Sequence, residues 1–360
     1  MKITRIKSWS ENLELTRPYS IAYQTFDSVE NVFVYLETDG GLFGLGSGAP
    51  VQSITGESLD DCTTVLTDKL EDLLLGKDIR LIKKHCRTLE KEMHKTPAAR
   101  AAVDIALFDV FAKYMNLPLV DVLGRAYHSL PTSITIGIKS VSESVDEAVE
   151  YVGRGFRILK VKTGKSVEED IERIVKIRER AGRRIKIRVD ANQGYSVAEL
   201  VEFEQKTRKL NMEFIEQPLK SDHNNGMFEV PERIRKKCMA DESLQDTNDA
   251  LNLAVNPHPF GIYNIKLMKC GGITSALQIA EIANLAKIDL MWGCMDESII
   301  SISAALHAAL ASPATRYLDL DGSLDLARDL VSGGFILKNG SLSVNETPGL
   351  GCTLLKGTNI

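Results

Sequence analysis

The sequence predicts an α/β fold, a (β/α)8-type barrel that follows an α+β domain of roughly 125 residues. Three observations carry this reading. After Leu130-Pro131, apolar strand-like cores recur near Thr135, Lys160, Arg188, Phe214, Met239, Ile265, Met291 and Leu318, about 25 to 28 residues apart. Between the early cores stand S-x-x-E helix-start signals, Ser144 with Glu147, Ser166 with Glu169 and Ser196 with Glu199. No G-x-G-x-x-G opens the repeat, which favours a closed barrel over a doubly wound open sheet.

Residues 1 to about 48 alternate as strands, Lys2 to Trp9, Val29 to Thr38 and Leu42 to Gly46, with a hairpin turn at Asp39-Gly40-Gly41. Between the first two lies the irregular run from Thr16 to Phe26, whose aromatics suit either a plain connection or a loop covering a site. From Ser58 to about Gly124 the pattern is helical. Its clearest helix starts at Pro97 and stops before Pro118. Gly153 and Gly182 are expected to end the first barrel helices. Beyond about residue 325 the repeat ends, and Gly333 to Gly351 reads as a return toward the first domain.

Lys and Arg total 44 against 49 acids, so no electrostatic footprint marks a nucleic-acid or membrane-surface partner. No apolar run approaches the roughly 18 residues that span a bilayer. The segment Met1-Lys2-Ile3-Thr4-Arg5 alternates like a strand, so a cytoplasmic location is expected. Six scattered cysteines without a C-x-x-C pair read as free thiols, and six dispersed histidines give no zinc pattern.

The chemistry sits at the strand ends. In Arg157-Ile158-Leu159-Lys160-Val161-Lys162, the two lysines at i and i+2 share one side of a strand, and burying them together requires opposing negative charge. Asp190, Glu216 and Asp241 each end a later apolar run, and Lys266 ends another. Any one alone reads as an ordinary polar strand end. In a barrel all six converge at one mouth, where three carboxylates make an all-oxygen site suited to Mg2+, with Mn2+ a tolerable substitute.

The motifs Lys160-x-Lys162, Val189-Asp190-Ala191-Asn192-Gln193-Gly194, Ile215-Glu216-Gln217-Pro218, Ala240-Asp241-Glu242-Ser243 and Asn264-Ile265-Lys266-Leu267-Met268-Lys269-Cys270-Gly271-Gly272 resemble those of the enolase superfamily, muconate-lactonizing subgroup. The resemblance implies a modified (β/α)8 TIM-type barrel, residues 126–324, under an α+β capping domain built from 1–125 and completed by 325–360. It also implies Mg2+ on Asp190, Glu216 and Asp241, Lys162 and Lys266 as catalytic bases on opposite faces of the substrate, and a homo-oligomer. Such a lysine acts as a base only when neutral, so depressed lysine pKa values are expected.

Within the subgroup the chain is most similar to dipeptide epimerases, whose Asp-x-Asp on the eighth strand grips the substrate ammonium. Here that motif is Asp319-Leu320-Asp321, and its plain alternative is a turn. The expected activity is inversion of the C-terminal α-carbon of a dipeptide. Succinylbenzoate synthase or a muconate-type cycloisomerase on the same scaffold is the alternative. Lys160 is expected on the substrate carboxylate. Asn192 and Gln193 shape a turn or support the site from behind, and Glu242 orients Lys266 or a ligand. Glu297 fits a family glutamate, whereas Asp296 either lines the specificity pocket or caps the helix at Ser298. Lys269 reads as structural. Glutamate-preferring relatives carry a basic residue where this chain has Gln24, so Ala-Glu is not expected to be the best substrate. Tyr19, Ile21, Tyr23 and Phe26 point instead to a small or apolar second residue.

Overall fold

The structure, a computed structural model, describes residues 1–17, 19–20, 25–26 and 28–358, with the side chains of 19–20 and 25–26 outside that description. Ile21, Tyr23 and Gln24 therefore lie outside the described residues, as do the side chains of Tyr19 and Phe26.

The cap begins as a three-stranded antiparallel sheet of Ile3–Asn12, Glu30–Thr38 and Phe43–Gly48, in that order. The expected turn closes the last hairpin, with Gly41 N–H donating to the Thr38 carbonyl at 2.9 Å. Helices Leu59–Leu74, Ile82–Glu92 and Pro97–Met115 follow. Strand Phe43–Gly48 lies directly on helix Pro97–Met115, and a Cβ on Gly46 would come within 1.8 Å of the Ala102 carbonyl. The alternating glycines and the alanine-rich helix thus bring two backbones together, and thirteen of the helix's nineteen residues are buried.

Eight parallel strands then run in ring order: Ile134–Ile136, Ile158–Lys162, Lys186–Asp190, Met212–Glu216, Cys238–Ala240, Ile262–Ile265, Asp289–Gly293 and Thr315–Asp319. Each contains or borders one of the strand cores read from the sequence. The ring closes through a parallel bridge between Thr132 and Leu318, with Ser133 N–H donating to the Leu318 carbonyl at 3.2 Å. On these strands Phe214, Met239, Ile262, Met291 and Tyr317 form their own buried cluster. Several of them sit two residues before a site residue, so they share its face and fill the barrel below the mouth.

The helix starts are capped as the chemistry demands, with one shift. Ser196 and Glu199 form a reciprocal capping box, and Ser166 accepts from Glu169 N–H. The first barrel helix, Val141–Gly153, starts four residues earlier than expected, because Ser140 and Glu143 form its box. Ser144 instead donates to the Ser140 carbonyl from within the helix. Gly182 caps the second at φ 80°.

The C-terminal strands return to the cap, where Leu350 N–H donates to Asp109 at 2.8 Å and Leu119 N–H to the Gly349 carbonyl. All six cysteines are free. Among the described residues, no helix is long and apolar enough to cross a membrane.

Candidate active site

A cavity of about 670 Å3 opens at the C-terminal ends of the barrel strands, roofed by cap residues such as Glu30, Pro50 and Ile54. That volume suits a small peptide. Lys160 and Lys162 enter from the second strand, and Lys266 directly follows the sixth. All three border the cavity, together with Asp241, Asp319 and Asp321. Asp190 and Glu216 end the third and fourth strands and are fully buried beside them.

The buried charges neutralise one another in pairs. Lys160 Nζ lies 2.7 Å from Asp319, 2.9 Å from Glu216 and 3.1 Å from Asp190. Lys162 donates to Asp190 at 2.7 Å, and Lys266 to Asp241 at 2.7 Å. Lys269, read from sequence as structural, donates to the other Asp241 oxygen and belongs to this network. Glu216 accepts from Asn264 Nδ2 at 2.7 Å, while its Oε2 faces Lys160 without a hydrogen bond.

Two further residues went unassigned in the sequence. Asn264 stands two positions before Lys266 on the same strand face, and that spacing was the available signal. Arg188 lies against the edge-on Phe214 and Tyr317 ring pair, 5.3 and 5.1 Å from their centres, and donates to Ser133, which in turn donates to Asp319 at 2.6 Å. A buried arginine beneath a strand end has no local signature.

The pairing decides the proton affinities. Burial opposes the charged form of Lys160 and Lys266, but Asp319, Glu216 and Asp190 around the first, and Asp241 beside the second, raise both above the usual lysine range. This reverses the expected depression for these two, because the attraction of the facing carboxylates outweighs burial and, at Lys266, the repulsion from Lys160. Burial would raise Asp190 and Asp241, yet Lys162 and Lys160 hold the first down, and Lys266 and Lys269 the second. Glu216 is pushed up to about 8 by burial and by repulsion from Asp190.

Among the described residues, no group of three acidic, cysteine or histidine side chains is arranged to hold a metal ion as it stands. The donor set nevertheless fits a hard dication. Three carboxylates end adjacent strands or follow them directly, one of them carries a buried oxygen with no hydrogen bond, and burial with repulsion from Asp190 raises that carboxyl's proton affinity, a penalty that a bound dication would relieve.

The remaining sequence expectations divide. Asp321 accepts Thr135 N–H at 2.7 Å, and burial with Asp319 nearby pushes its carboxyl up to about 7. Asp296 borders the cavity, while Glu297 turns inward onto Met295 N–H at 2.8 Å. Glu242 meets Asn192 Nδ2 at 3.5 Å, and the carboxylate bonded to Lys266 is Asp241.

Residues 3–124 match the mandelate racemase / muconate lactonizing enzyme N-terminal domain, and residues 143–357 the enolase C-terminal domain-like family. The chain is 58% identical over 351 residues to an L-Lys-D/L-Arg epimerase of Desulforapulum autotrophicum, covering 98% of this chain and 99% of that protein. It is 37% identical over 353 residues to a hydrophobic dipeptide epimerase of Enterococcus faecalis, covering 98% and 99%. A crystal structure of a dipeptide epimerase from Methylococcus capsulatus, complexed with Mg and L-Arg-D-Lys, superposes with a TM-score of 0.96 at 50% identity, covering 98% of this chain and 100% of that one. The chain belongs to the enolase superfamily, in the muconate-lactonizing subgroup, and is an isomerase that resembles its dipeptide epimerases.

Proposed function

We propose that this enzyme is a Mg2+-dependent epimerase of dipeptides with cationic side chains, inverting the α-carbon of the C-terminal residue. The observation that carries the reading is the placement of Lys162 and Lys266 on the second and sixth strand ends, bordering one cavity that also presents Asp319 and Asp321.

Asp190, Glu216 and Asp241 would hold Mg2+, which when bound supplies positive charge against the substrate carboxylate. Lys162 removes the α-proton from one face, and Lys266 delivers one to the other. For the reverse direction the roles exchange. A lysine whose carboxylate partner is engaged elsewhere loses the charge that holds its proton, which brings it toward the neutral form a base requires. Lys160 stays protonated among three carboxylates and is suited to pair with the substrate carboxylate. Asp319 and Asp321 face the substrate ammonium, a counter-charge that the raised Asp321 carboxyl lacks.

Side-chain preference follows from the charge of the walls. Glu30, Asp296 and Asp325 border the cavity, and the charges of the rim cations Arg17 and Lys139 are offset by Glu150 and Glu147 at 3.1 and 2.9 Å. This acidic lining favours cationic side chains over the small or apolar second residue expected from the cap sequence. The name of the 58% identical relative, an L-Lys-D/L-Arg epimerase, supports the same choice.

The test is incubation with Mg2+ in heavy water with Lys-Arg, Arg-Lys, Leu-Tyr and Ala-Glu dipeptides, read by mass spectrometry. Label at the C-terminal α-carbon is expected chiefly in the cationic pair. No label in any dipeptide would overturn the epimerase reading, and equal label in Leu-Tyr would overturn the charge argument.

A further inference from the structure

We propose that Asp104 and Arg100, on the cap helix Pro97–Met115, are positioning residues that hold Lys266 in place from outside the barrel. The proposal rests on the reading of Lys266 as one of the two proton-transfer groups. Lys266 directly follows the sixth strand and is the N-cap residue of the one-turn helix Leu267–Cys270, with no side-chain cap. Gly271 and Gly272 follow, and Gly272 begins the helix Ile273–Ala286, again with no capping side chain of its own.

The cap helix supplies both missing partners. Asp104 accepts Ile273 N–H at 2.7 Å, Thr274 N–H at 3.4 Å and the Thr274 hydroxyl at 2.7 Å. Arg100 donates to the Cys270 carbonyl at 2.6 Å, across 170 positions of sequence. One helix of the cap therefore satisfies the last carbonyl of one barrel helix and the first amides of the next, groups that otherwise stay unpaired.

The fit is tight. Gly271 and Gly272 have φ of +82° and +112°, and a Cβ on them would come within 2.0 Å of Arg100 Nε and 2.5 Å of Asp104 Oδ1. From this grip back to Lys266 is one helical turn, about 5.4 Å of rise. A turn that short transmits a displacement of its far end to the residue that starts it.

Lys162 is supported elsewhere. Its following turn is held within the barrel by Asp170, which accepts Gly164 N–H at 2.8 Å and the Tyr195 hydroxyl at 2.9 Å. Loss of the Asp104 contact therefore reaches one of the two lysines and leaves the other, and that asymmetry separates positioning from general stability. Transfer of a proton depends steeply on the distance and alignment of the reacting atoms, so a small shift of Lys266 is enough to register.

The experiment compares the full-length Asp104→Ala and Asp104→Asn variants with wild type, with Mg2+ in heavy water, starting separately from L-Lys-L-Arg and L-Lys-D-Arg. Lys266→Ala serves as the reference that assigns each epimer to a lysine. For the epimer deprotonated by Lys162, Asp104→Ala is expected to keep exchange with retention within about threefold of wild type while inversion falls tenfold or more. For the other epimer, exchange and inversion fall together by tenfold or more. Asp104→Asn keeps one acceptor for Ile273 N–H and shows the same asymmetry, with a loss of about fivefold where Asp104→Ala loses tenfold or more and no measurable loss where Asp104→Ala keeps exchange. Equal losses for both epimers, or no loss, overturn the proposal. If Asp104→Ala does not fold, the asymmetry or symmetry of Asp104→Asn decides it. A wild type that labels neither epimer instead overturns the epimerase reading beneath it.

Discussion

At the scale of single residues, Lys160 carries the largest electrostatic burden. It is 3% exposed and lies within ion-pair distance of three carboxylates, themselves buried. Removing one partner from a buried ionic group leaves uncompensated charge, at a cost of roughly 3–5 kcal/mol. Lys160→Met is therefore expected to lower the stability of the chelator-treated protein by about that amount in denaturant titrations. Mg2+ is expected to restore more stability to the variant than to wild type, because the dication replaces the lost positive charge; equal restoration would show that the cation binds elsewhere. For the proposed selectivity the corresponding residue is Asp296. It borders the cavity, and a hydrogen bond to a charged partner is worth about 1.5–3 kcal/mol. Asp296→Asn should cut kcat/KM for Lys-Arg by about tenfold or more while leaving Leu-Tyr within about twofold, and a uniform drop would remove Asp296 from the specificity wall.

At the scale of elements, the cap is held together by a strand pressed onto a helix. The glycines at 44, 46 and 48 each face a carbonyl of helix Pro97–Met115, at Ala106, Ala102 and Ala98. Gly46→Ala forces the two backbones apart, and overpacking of this kind costs typically about 1–3 kcal/mol. Because the cavity-lining loop starting at Ala49 leaves the end of that strand, KM is expected to rise more than kcat falls; an unchanged KM would show that the loop is seated independently. The barrel strands were legible because buried parallel strands have a fixed apolar signature and recur at a fixed interval. The Ser144 and Glu147 pair was a misleading signal: the true cap, Ser140 with Glu143, has the same spacing four residues earlier, and only the backbone path separates two such boxes. Lys269 and Arg188 were not legible as site residues because their partners, Asp241 and Ser133, are brought to them by folding across 28 and 55 positions. The identities at the six strand-end positions were readable, since a charge at the end of an apolar strand is conspicuous locally. Which charge faces which was not.

At the scale of the whole molecule, folding encloses carboxyls whose proton affinity rises, and this sets a pH dependence with a definite sign. Glu216 is pushed up to about 8, and Glu242, Glu297 and Asp321 to about 7 each, burial being the first cause in every case. Asp190 adds repulsion at Glu216, Asp241 at Glu242 and Asp319 at Asp321. In the unfolded chain these groups release their protons near their ordinary values of 4.5 for glutamate and 3.8 for aspartate. Between those limits the folded protein binds more protons than the unfolded one, so its stability decreases as pH rises. His307 has the opposite sign: burial lowers it from 6.5 to about 4, so its contribution is lost as pH falls through that interval. Above about pH 6.5 the histidine is neutral in the folded state and less than half protonated in the unfolded one, so the four raised carboxyls outweigh it and decide the slope. Scanning calorimetry of the chelator-treated protein is therefore expected to show a midpoint that falls from about pH 6.5 to 8, equivalent to about 1–3 kcal/mol. Excess Mg2+ should raise the midpoint throughout, by about 2.7 kcal/mol at a hundredfold excess over Kd. It should raise it most at the upper end, where Glu216 gives up its proton and the cation takes the place of that proton. A midpoint that declines equally with and without Mg2+ would mean that the proton and the cation do not compete for one carboxylate, and would remove Glu216 from the ligand set.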